Sequence, residues 1–275
     1  MTPMTAIALT IAGSDASGGA GIQADLKTFS AFGVYGASAL TALTAQNTLG
    51  VHGVHAVPPA FVGAQIDAVL ADLDVGAIKT GMLADSEIIE AVASRLRPYS
   101  QIPLVVDPVM VATSGGSLLD PAAIDTLRRR LIPRALVITP NLPEAARLLG
   151  TTEATSEGLM AEQARALLAF GCQAVLIKGG HGEGVEAIDL LVQADGSMAR
   201  FVHPRIATRA THGTGCTLSA AIAALIAGGV SLEAAVSRAK TYVWNALSAG
   251  TELRVGTGNG PVDHLYAIKR QPPPS

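Results

Sequence analysis

The stretch Ala210–Ala220 reads "ATHGTGCTLSA": two glycines flank a threonine, a cysteine follows, and an apolar run with helical character begins. Glycine lets backbone N–H groups crowd towards a ligand, and a helix N-terminus favours negative charge. Gly213, Thr214 and Gly215 therefore form a candidate anion hole, although the same residues would also serve as a tight turn. A thiol at Cys216 stands in the same positive field. Other stretches carry groups of the kind that handle phosphate or metal. Gly13–Gly21, "GSDASGGAG", is glycine-rich around Asp15 and reads as a ligand-contacting loop or a flexible turn. Asp107 follows directly on "PLVV", a carboxylate at a strand tip suited to a metal ion or to the Mg²⁺ of a phosphate, and equally to capping a turn. Asn141 and Glu144 lie three apart in "TPNLPEA", the spacing of a capping box. Lys178 leaves an apolar strand beside two glycines, a candidate phosphate contact. No G-x-x-x-x-G-K-[ST] occurs, so a P-loop is excluded, and no strand–GxGxxG–helix fingerprint for a dinucleotide is present.

These residues act together only if the elements that carry them deliver them to one place. Apolar, β-branched runs predict strands over Ala6–Ile11, Ala77–Lys79, Leu104–Asp107, Leu136–Thr139 and Ala174–Lys178. Between them a period near 3.6 predicts helices over Ala20–Phe32, Pro59–Leu73, Ser86–Leu96, Pro121–Leu131, Pro143–Leu149 and Glu162–Phe170. Asp120-Pro121 is an N-cap with proline at the first position, and Gly150 and Gly171 stand where helices should stop. Such alternation predicts parallel βαβ units with helices on both faces of one sheet, an α/β fold of three α/β/α layers. In such a sheet ligands bind beyond the carboxyl ends of the strands, where five ends carry the loops above, "KTGML" at Lys79–Leu83 among them.

Two segments depart from the alternation. Tyr35–Gln46 has too many small residues to decide between strand and helix. Ala187–Ile206 predicts a hairpin turning at Asp195-Gly196 in a type I′ turn. Two last helices are expected over Thr214–Ala227 and Ser231–Ser248, the second capped by Ser231 and stopped by Gly250. A single domain over residues 1–269 and a disordered tail over 270–275 follow.

Composition narrows the function class. The chain has 275 residues, 49% hydrophobic and only 15% charged, enough for a large aliphatic core. A net charge of −3 gives no footprint for nucleic acid, and the cluster Arg128–Arg130 with Arg134 reads as a solvated helix face. No apolar run reaches the roughly 18 residues of a membrane span. The start lacks a basic n-region and reads as a first strand, and the two cysteines make no disulfide framework, so a reducing cytoplasm is the expected compartment. Cys172 reads as a structural thiol, and His52, His55, His203 and His212 as solvated or capping side chains.

The chain resembles the ribokinase-like small-molecule kinases, and within them the bacterial hydroxymethylpyrimidine/phosphomethylpyrimidine kinases of thiamine biosynthesis. The resemblance runs from "IAGSDASGGAGIQADLKTFSAFGVYGASALTALTAQNT" through "IKTGML", "VVDPVMVATSG", "ITPNLPEA" and "IKGGH" to "THGTGCTLSAAIAA" and a late "GNGPVDH". It implies Mg²⁺- and ATP-dependent phosphorylation of 4-amino-5-hydroxymethyl-2-methylpyrimidine and then of its monophosphate, by a homodimer. It further implies that Gly13, Asp25, Gln46, Met82 and Val109 form the pyrimidine pocket, with Gln46 on the ring edge. Asp107 and Glu144, with Asn141, would handle Mg²⁺ and phosphates, and Lys178 the phosphates of ATP. Gly213, Thr214, Gly215 and Cys216 would supply the anion hole. Many relatives carry an aspartate as base where this chain has Cys216. A thiolate replaces it if the helix N-terminus lowers its pKa from about 8.5 towards neutrality. Only the first transfer has a hydroxyl proton to remove, so such a base matters more there.

Three alternatives stand beside this reading. A pyridoxal kinase shares the fold, but the branch most like these enzymes carries a second cysteine on its flap, and "VMVATSGGS" has none. A catalytically inactive pyrimidine sensor would not need the full set Asp107, Glu144, Lys178 and G-T-G-C. A hydrolase with Cys216 as nucleophile lacks a histidine in any partner motif.

Overall fold

Short aliphatic runs unbroken by charge become the strands of one sheet, and the amphipathic stretches between them become its two helical layers. The computed structural model describes residues 5–110, 120–180 and 184–268. In chain order these hold β1 (Ile7–Asp15), α1 (Gly21–Ala31), β2 (Tyr35–Asn47), β3 (Gly50–Ala56), α2 (Pro59–Asp72), β4 (Ala77–Thr80), α3 (Ser86–Leu96) and β5 (Leu104–Val106). Then come α4 (Pro121–Arg130), β6 (Val137–Ile138), α5 (Leu142–Leu149), α6 (Glu157–Leu168), β7 (Ala174–Lys178), β8 (Glu186–Gln193), β9 (Met198–Pro204), α7 (Thr214–Ala227) and α8 (Leu232–Gly250). The nine strands lie in the order β3-β2-β1-β4-β5-β6-β7-β8-β9. Neighbours from β2 to β7 are parallel, while β3, β8 and β9 pair antiparallel at the two ends. The chain is thus a mostly parallel α/β sandwich with helices on both faces.

Alternate residues of each strand feed opposite cores, as a period of two requires. Leu9 and Ile11, Val106, Ile138, Val175 and Ile177 pack under α2 to α6. Ala8, Val105, Val137, Ala174 and Leu176 pack under α1, α7 and α8. Helix α7 is apolar around its whole circumference, and Leu218 and Ala220–Leu225 are all buried. Its run of alanines brings its backbone close to the sheet, which carries its first turn to the carboxyl edge. No described helix is long and apolar enough to cross a membrane.

The local signals mostly act as expected. Asp85, Asp120, Asn141 and Ser156 each accept a first-turn N–H of their helix, and Gly150 closes α5 in the left-handed conformation. Several expectations need correction. The undecided Tyr35–Gln46 is a strand, and β3, which had no signal of its own, is the antiparallel edge beside it. Helix α6 begins at Glu157 and not Glu162, because Ser156 caps a turn that Gly158 hides from periodicity. The hairpin turn is not type I′, which needs positive φ at both central residues. Gly196 alone has it, at φ 88°, and the Gly196 N–H donates to Gln193 O, so the turn is type I with a glycine bulge. Ser231 stands at the N-cap of α8 without a side-chain cap bond, and Gly250 is that helix's last residue. Arg134 is not solvated: its guanidinium donates to the carbonyls of Tyr99 and Ile102. Residues 270–275 lie outside the described residues.

Candidate active site

The sheet has its switch point between β1 and β4, since β1 passes through α1 to β2 on one side while β4 lies on the other. The crevice beyond the carboxyl ends there is where an open α/β sheet takes its ligand. The register slips between Ala12 and Ser14, and again between Ala45 and Gln46, next to the pocket candidates Gly13 and Gln46. Such irregularities re-aim side chains at a sheet's rim.

Asp107, Glu144 and Lys178 meet there. Lys178 Nζ donates to Asp107 Oδ1 at 2.9 Å and lies 3.9 Å from Glu144 Oε2. Thr139 Oγ1 donates to Asp107 Oδ1 at 3.1 Å, and Ser219 Oγ to Oδ2 at 3.1 Å. Burial works against the Asp107 carboxylate, but the charges of Lys178 and Lys79 outweigh it and hold the group below the usual range. Glu144 goes the other way: burial, with the charge of Asp107, pushes its carboxyl up to about 7 against the pull of Lys178. The capping box forms as well, with Asn141 Oδ1 accepting the Glu144 N–H and Glu144 Oε2 accepting the Asn141 N–H, both at 2.8 Å. The two meanings of that motif, cap and charged site, are therefore both realised.

The "HGTGC" turn closes over this group. Gly213 is the N-cap of α7 at φ 80°, and a Cβ there would collide with the Gly19 carbonyl. A Cβ on Gly215 would stand 3.3 Å from Lys178 Nζ and 3.9 Å from Asp107 Oδ2, so bare backbone faces the charged pair. No side chain caps α7. Behind the turn Thr217 Oγ1 donates to Gly213 O at 2.8 Å and lies 3.0 Å from His264 Nε2, whose pKa burial pushes down to about 4.

Cys216 is only partly exposed, with the Gly21 N–H directed at its sulfur. The expected lowering of its pKa is overturned. Burial pushes the thiol up to about 11, and the charges of Asp25 and Asp107 reinforce this against Lys79. Asp25 is fully buried and committed: Lys79 Nζ donates to its two oxygens at 3.0 and 2.8 Å, and Thr10 Oγ1 donates to Oδ2 at 2.6 Å. Burial disfavours the Lys79 ammonium, but the charge of Asp25 more than offsets it, so the two form an ion pair beneath the site.

Of the remaining pocket candidates, Gly13 and Met82 adjoin: a Cβ on Gly13 would stand 3.1 Å from Met82 Sδ. Val109 is half-buried and its N–H donates to Asp107 O at 2.8 Å. The rest of the flap stretch from residue 111 lies outside the described residues, as does His181 of "IKGGH". Gln46 sits at the end of β2, with Oε1 3.2 Å from Thr44 Oγ1 and Nε2 3.4 Å from His212 Nε2. His212 corrects the sequence reading: it is buried, and its Nε2 lies 2.8 Å from Asp15 Oδ2. Asp15 also accepts N–H groups of Ser17, Gly19 and Ala20, and these bonds with that of His212 outweigh burial and keep its carboxyl well below the usual range. The sequence places Asp15 in a candidate ligand loop and Lys79 at a strand end, but gives no individual site role to either, nor to His212, Thr139, Ser219 or His264, although the stretches it singles out contain them all. Cys172 is buried, as expected of a structural thiol.

Comparison with known proteins shows the family to which the chain belongs. The family model described as phosphomethylpyrimidine kinase matches residues 15–263. The hydroxymethylpyrimidine/phosphomethylpyrimidine kinase of Rhizobium meliloti is 57% identical over 96% of this chain and 98% of its own length. The enzyme of the same name from Escherichia coli is 54% identical over 94% of this chain and 97% of its own length. Among solved structures, an ADP complex of Bacillus subtilis pyridoxal kinase superposes with a TM-score of 0.88 at 38% identity, covering 96% of this chain and 99% of that one.

Proposed function

The chain belongs to the phosphomethylpyrimidine kinase family, and on that premise we propose how its residues carry out the two phosphoryl transfers of a hydroxymethylpyrimidine/phosphomethylpyrimidine kinase in thiamine biosynthesis. ATP phosphorylates the hydroxymethyl group of 4-amino-5-hydroxymethyl-2-methylpyrimidine, and a second ATP phosphorylates the monophosphate. The observation that carries the mechanism is the bare Gly215 backbone against the Lys178–Asp107 pair at the head of α7. Phosphoryl transfer passes through a loose transition state with charge on the equatorial oxygens, so positioned N–H groups and cations supply most of the catalysis. Lys178 brings one cation to the phosphates of ATP, and Gly213, Gly215 and Cys216 direct backbone N–H groups at the phosphoryl in flight, while the Thr214 N–H donates to Thr211 O at 3.3 Å and closes the turn.

Asp107 and Glu144 are the candidate holders of Mg²⁺. Among the described residues no cluster of three His, Cys, Asp or Glu side chains forms a cage. Two hard carboxylates suit Mg²⁺, which completes its shell with phosphate oxygens and water. When held there by Asp107 and Glu144, the ion would draw charge from the phosphates of ATP. Gln46 offers a donor and an acceptor to the aminopyrimidine edge, with Gly13, Met82 and Val109 beside the ring. Asp25, paired with Lys79, underlies the pocket. Cys216 takes the hydroxyl proton in the first transfer; with its thiol protonated at neutral pH, that step gains from higher pH. In the second transfer the attacking phosphate oxygen is already ionised.

A homodimer fits the exposed apolar side chains of β2, β3 and the turn between them, Tyr35, Leu43, Leu49 and Val54, and light scattering tests it. The free thiols Cys172 and Cys216 suit a cytoplasmic location. A second reading, activity on pyridoxal, is favoured by the likeness to the Bacillus subtilis pyridoxal kinase. One experiment separates them. Purified protein with Mg·ATP is offered the hydroxymethylpyrimidine and pyridoxal together, and products are followed by mass spectrometry. Pyrimidine monophosphate that converts to diphosphate is expected; pyridoxal phosphate alone would overturn the assignment.

A further inference from the structure

Gln46 lies between two partners whose protons are already engaged. Asp15, ringed by the N–H groups of Ser17, Gly19 and Ala20, is an ionised carboxylate that only accepts. His212 Nε2, 2.8 Å from Asp15 Oδ2, therefore carries the ring proton and donates it to that carboxylate. With that proton in place, the Gln46 NH₂ group 3.4 Å away sets donor against donor. On the other side Thr44 has a single hydroxyl proton, which goes to Ser14 O at 2.8 Å and leaves none for Gln46 Oε1 at 3.2 Å. The two ends of a carboxamide are alike in size, and half a turn about its last bond removes both conflicts. Gln46 NH₂ then donates to Thr44 Oγ1, and Gln46 Oε1 accepts a share of the His212 Nε2 proton.

We propose that the Asp15–His212 pair, with Thr44 opposite, fixes which way the Gln46 carboxamide faces and thereby sets the enzyme's preference for an aminopyrimidine. This rests on the reading of Gln46 as a contact to the substrate ring. Once fixed, the carboxamide keeps one N–H and one oxygen lone pair for a ligand, in a set order. An aminopyrimidine offers a ring-nitrogen acceptor beside an exocyclic amino donor, the matching order. Pyridoxal has no amino donor beside its ring nitrogen, which is flanked by a methyl group and a C–H. A carboxamide free to rotate would present both orders and discriminate less. His212 is itself held in place. Its ring packs on Gly19, where a Cβ would stand 2.5 Å from Cδ2, and its backbone N–H donates to Gly260 O at 3.1 Å. The ring cannot swing, so neither can the proton it directs.

The test compares kcat and KM for the natural pyrimidine and for its analogue lacking the 4-amino group, in His212→Leu, His212→Gln, His212→Asn, Thr44→Val and Gln46→Leu. Losing one neutral hydrogen bond is expected to raise KM for the natural substrate about tenfold in His212→Leu, with kcat within about twofold and little change for the analogue. The ratio of specificities falls by the same factor. Glutamine reaches the Nε2 position with an N–H and restores the ratio; asparagine is too short and does not. Thr44→Val frees the other end of the carboxamide and lowers the ratio too, which keeps the proposal testable if His212→Leu fails to fold. Equal losses on both substrates, or rescue by asparagine as good as by glutamine, would show that His212 only packs the glycine loop and would overturn the proposal. An unchanged KM in Gln46→Leu would instead remove the ring contact itself, and the proposal with it.

Discussion

Replacing Glu144 with glutamine tests the electrostatics of the site through stability as well as rate. The carboxyl is buried beside Asp107, and folding lifts its pKa from 4.5 to about 7. A carboxyl raised on folding holds its proton more tightly in the folded chain. Its contribution to stability is therefore fully present below the unfolded value and is lost as pH climbs through the folded one. From 4.5 to about 7, at about 1.4 kcal/mol per pH unit, the loss is on the order of 3 kcal/mol. Glutamine is nearly isosteric, cannot ionise, and can still accept the Asn141 N–H that Glu144 accepts at 2.8 Å. The difference in unfolding free energy between Glu144→Gln and the parent should therefore grow in favour of the variant between pH 5 and pH 8, by about 2–3 kcal/mol. Guanidinium unfolding of both proteins at each pH measures it, and subtracting the two curves cancels every group they share. A flat difference curve would mean that Glu144 titrates in the folded chain as it does unfolded, and would refute the account of the site as a crowded, desolvated cluster. Activity should move the opposite way, with kcat down at least tenfold, because the stabilising variant lacks the carboxylate proposed to hold Mg²⁺.

Other substitutions probe other parts. Cys216→Ala should slow the first transfer more than the second and abolish a rise of the first-transfer rate with pH between 7 and 10. Comparable losses in both steps would remove the thiol from proton transfer. Lys79→Met strands the buried Asp25 and should cost about 3–5 kcal/mol in denaturant unfolding. The double variant Asp25→Leu/Lys79→Met should recover much of that stability, and no recovery would show that the pair is not energetically coupled. Gly213→Ala places a side chain at φ 80° against the Gly19 carbonyl and should destabilise the fold by about 1–3 kcal/mol or more. Gly215→Ala brings a Cβ 3.3 Å from Lys178 Nζ and 3.9 Å from Asp107 Oδ2, contacts that a shift of a few tenths of an ångström relieves, so its melting temperature should change little while KM for ATP rises.

What could be read from the sequence divides along a physical line. Asp107 and Lys178 are visible because a charged residue at the end of an aliphatic run is a local event, and Glu144 because its spacing from Asn141 marks the start of a helix that follows such a run; parallel topology then sends all these ends to one rim. Lys79 sits at a strand end in the same way, yet its role was invisible: its partner Asp25 is 54 residues away, and only packing shows that the pair is sealed from water. His212 and Asp15 are 197 residues apart, and neither type nor spacing announces that they share a proton. The fold shows the same division. Strands β5 to β7 are buried on both faces and therefore read as apolar runs, whereas β3, "GVHGVHA", is mostly exposed and owes its conformation to the ladder with β2. Even the capping box shows why a local reading can be right and incomplete. Asn141 and Glu144 cap α5 as their spacing predicts, and that cap holds the Glu144 carboxylate 3.9 Å from Lys178. The cap orients the carboxylate, so one motif supplies both the start of a helix and a charged wall of the site, and losing either function should disturb the other.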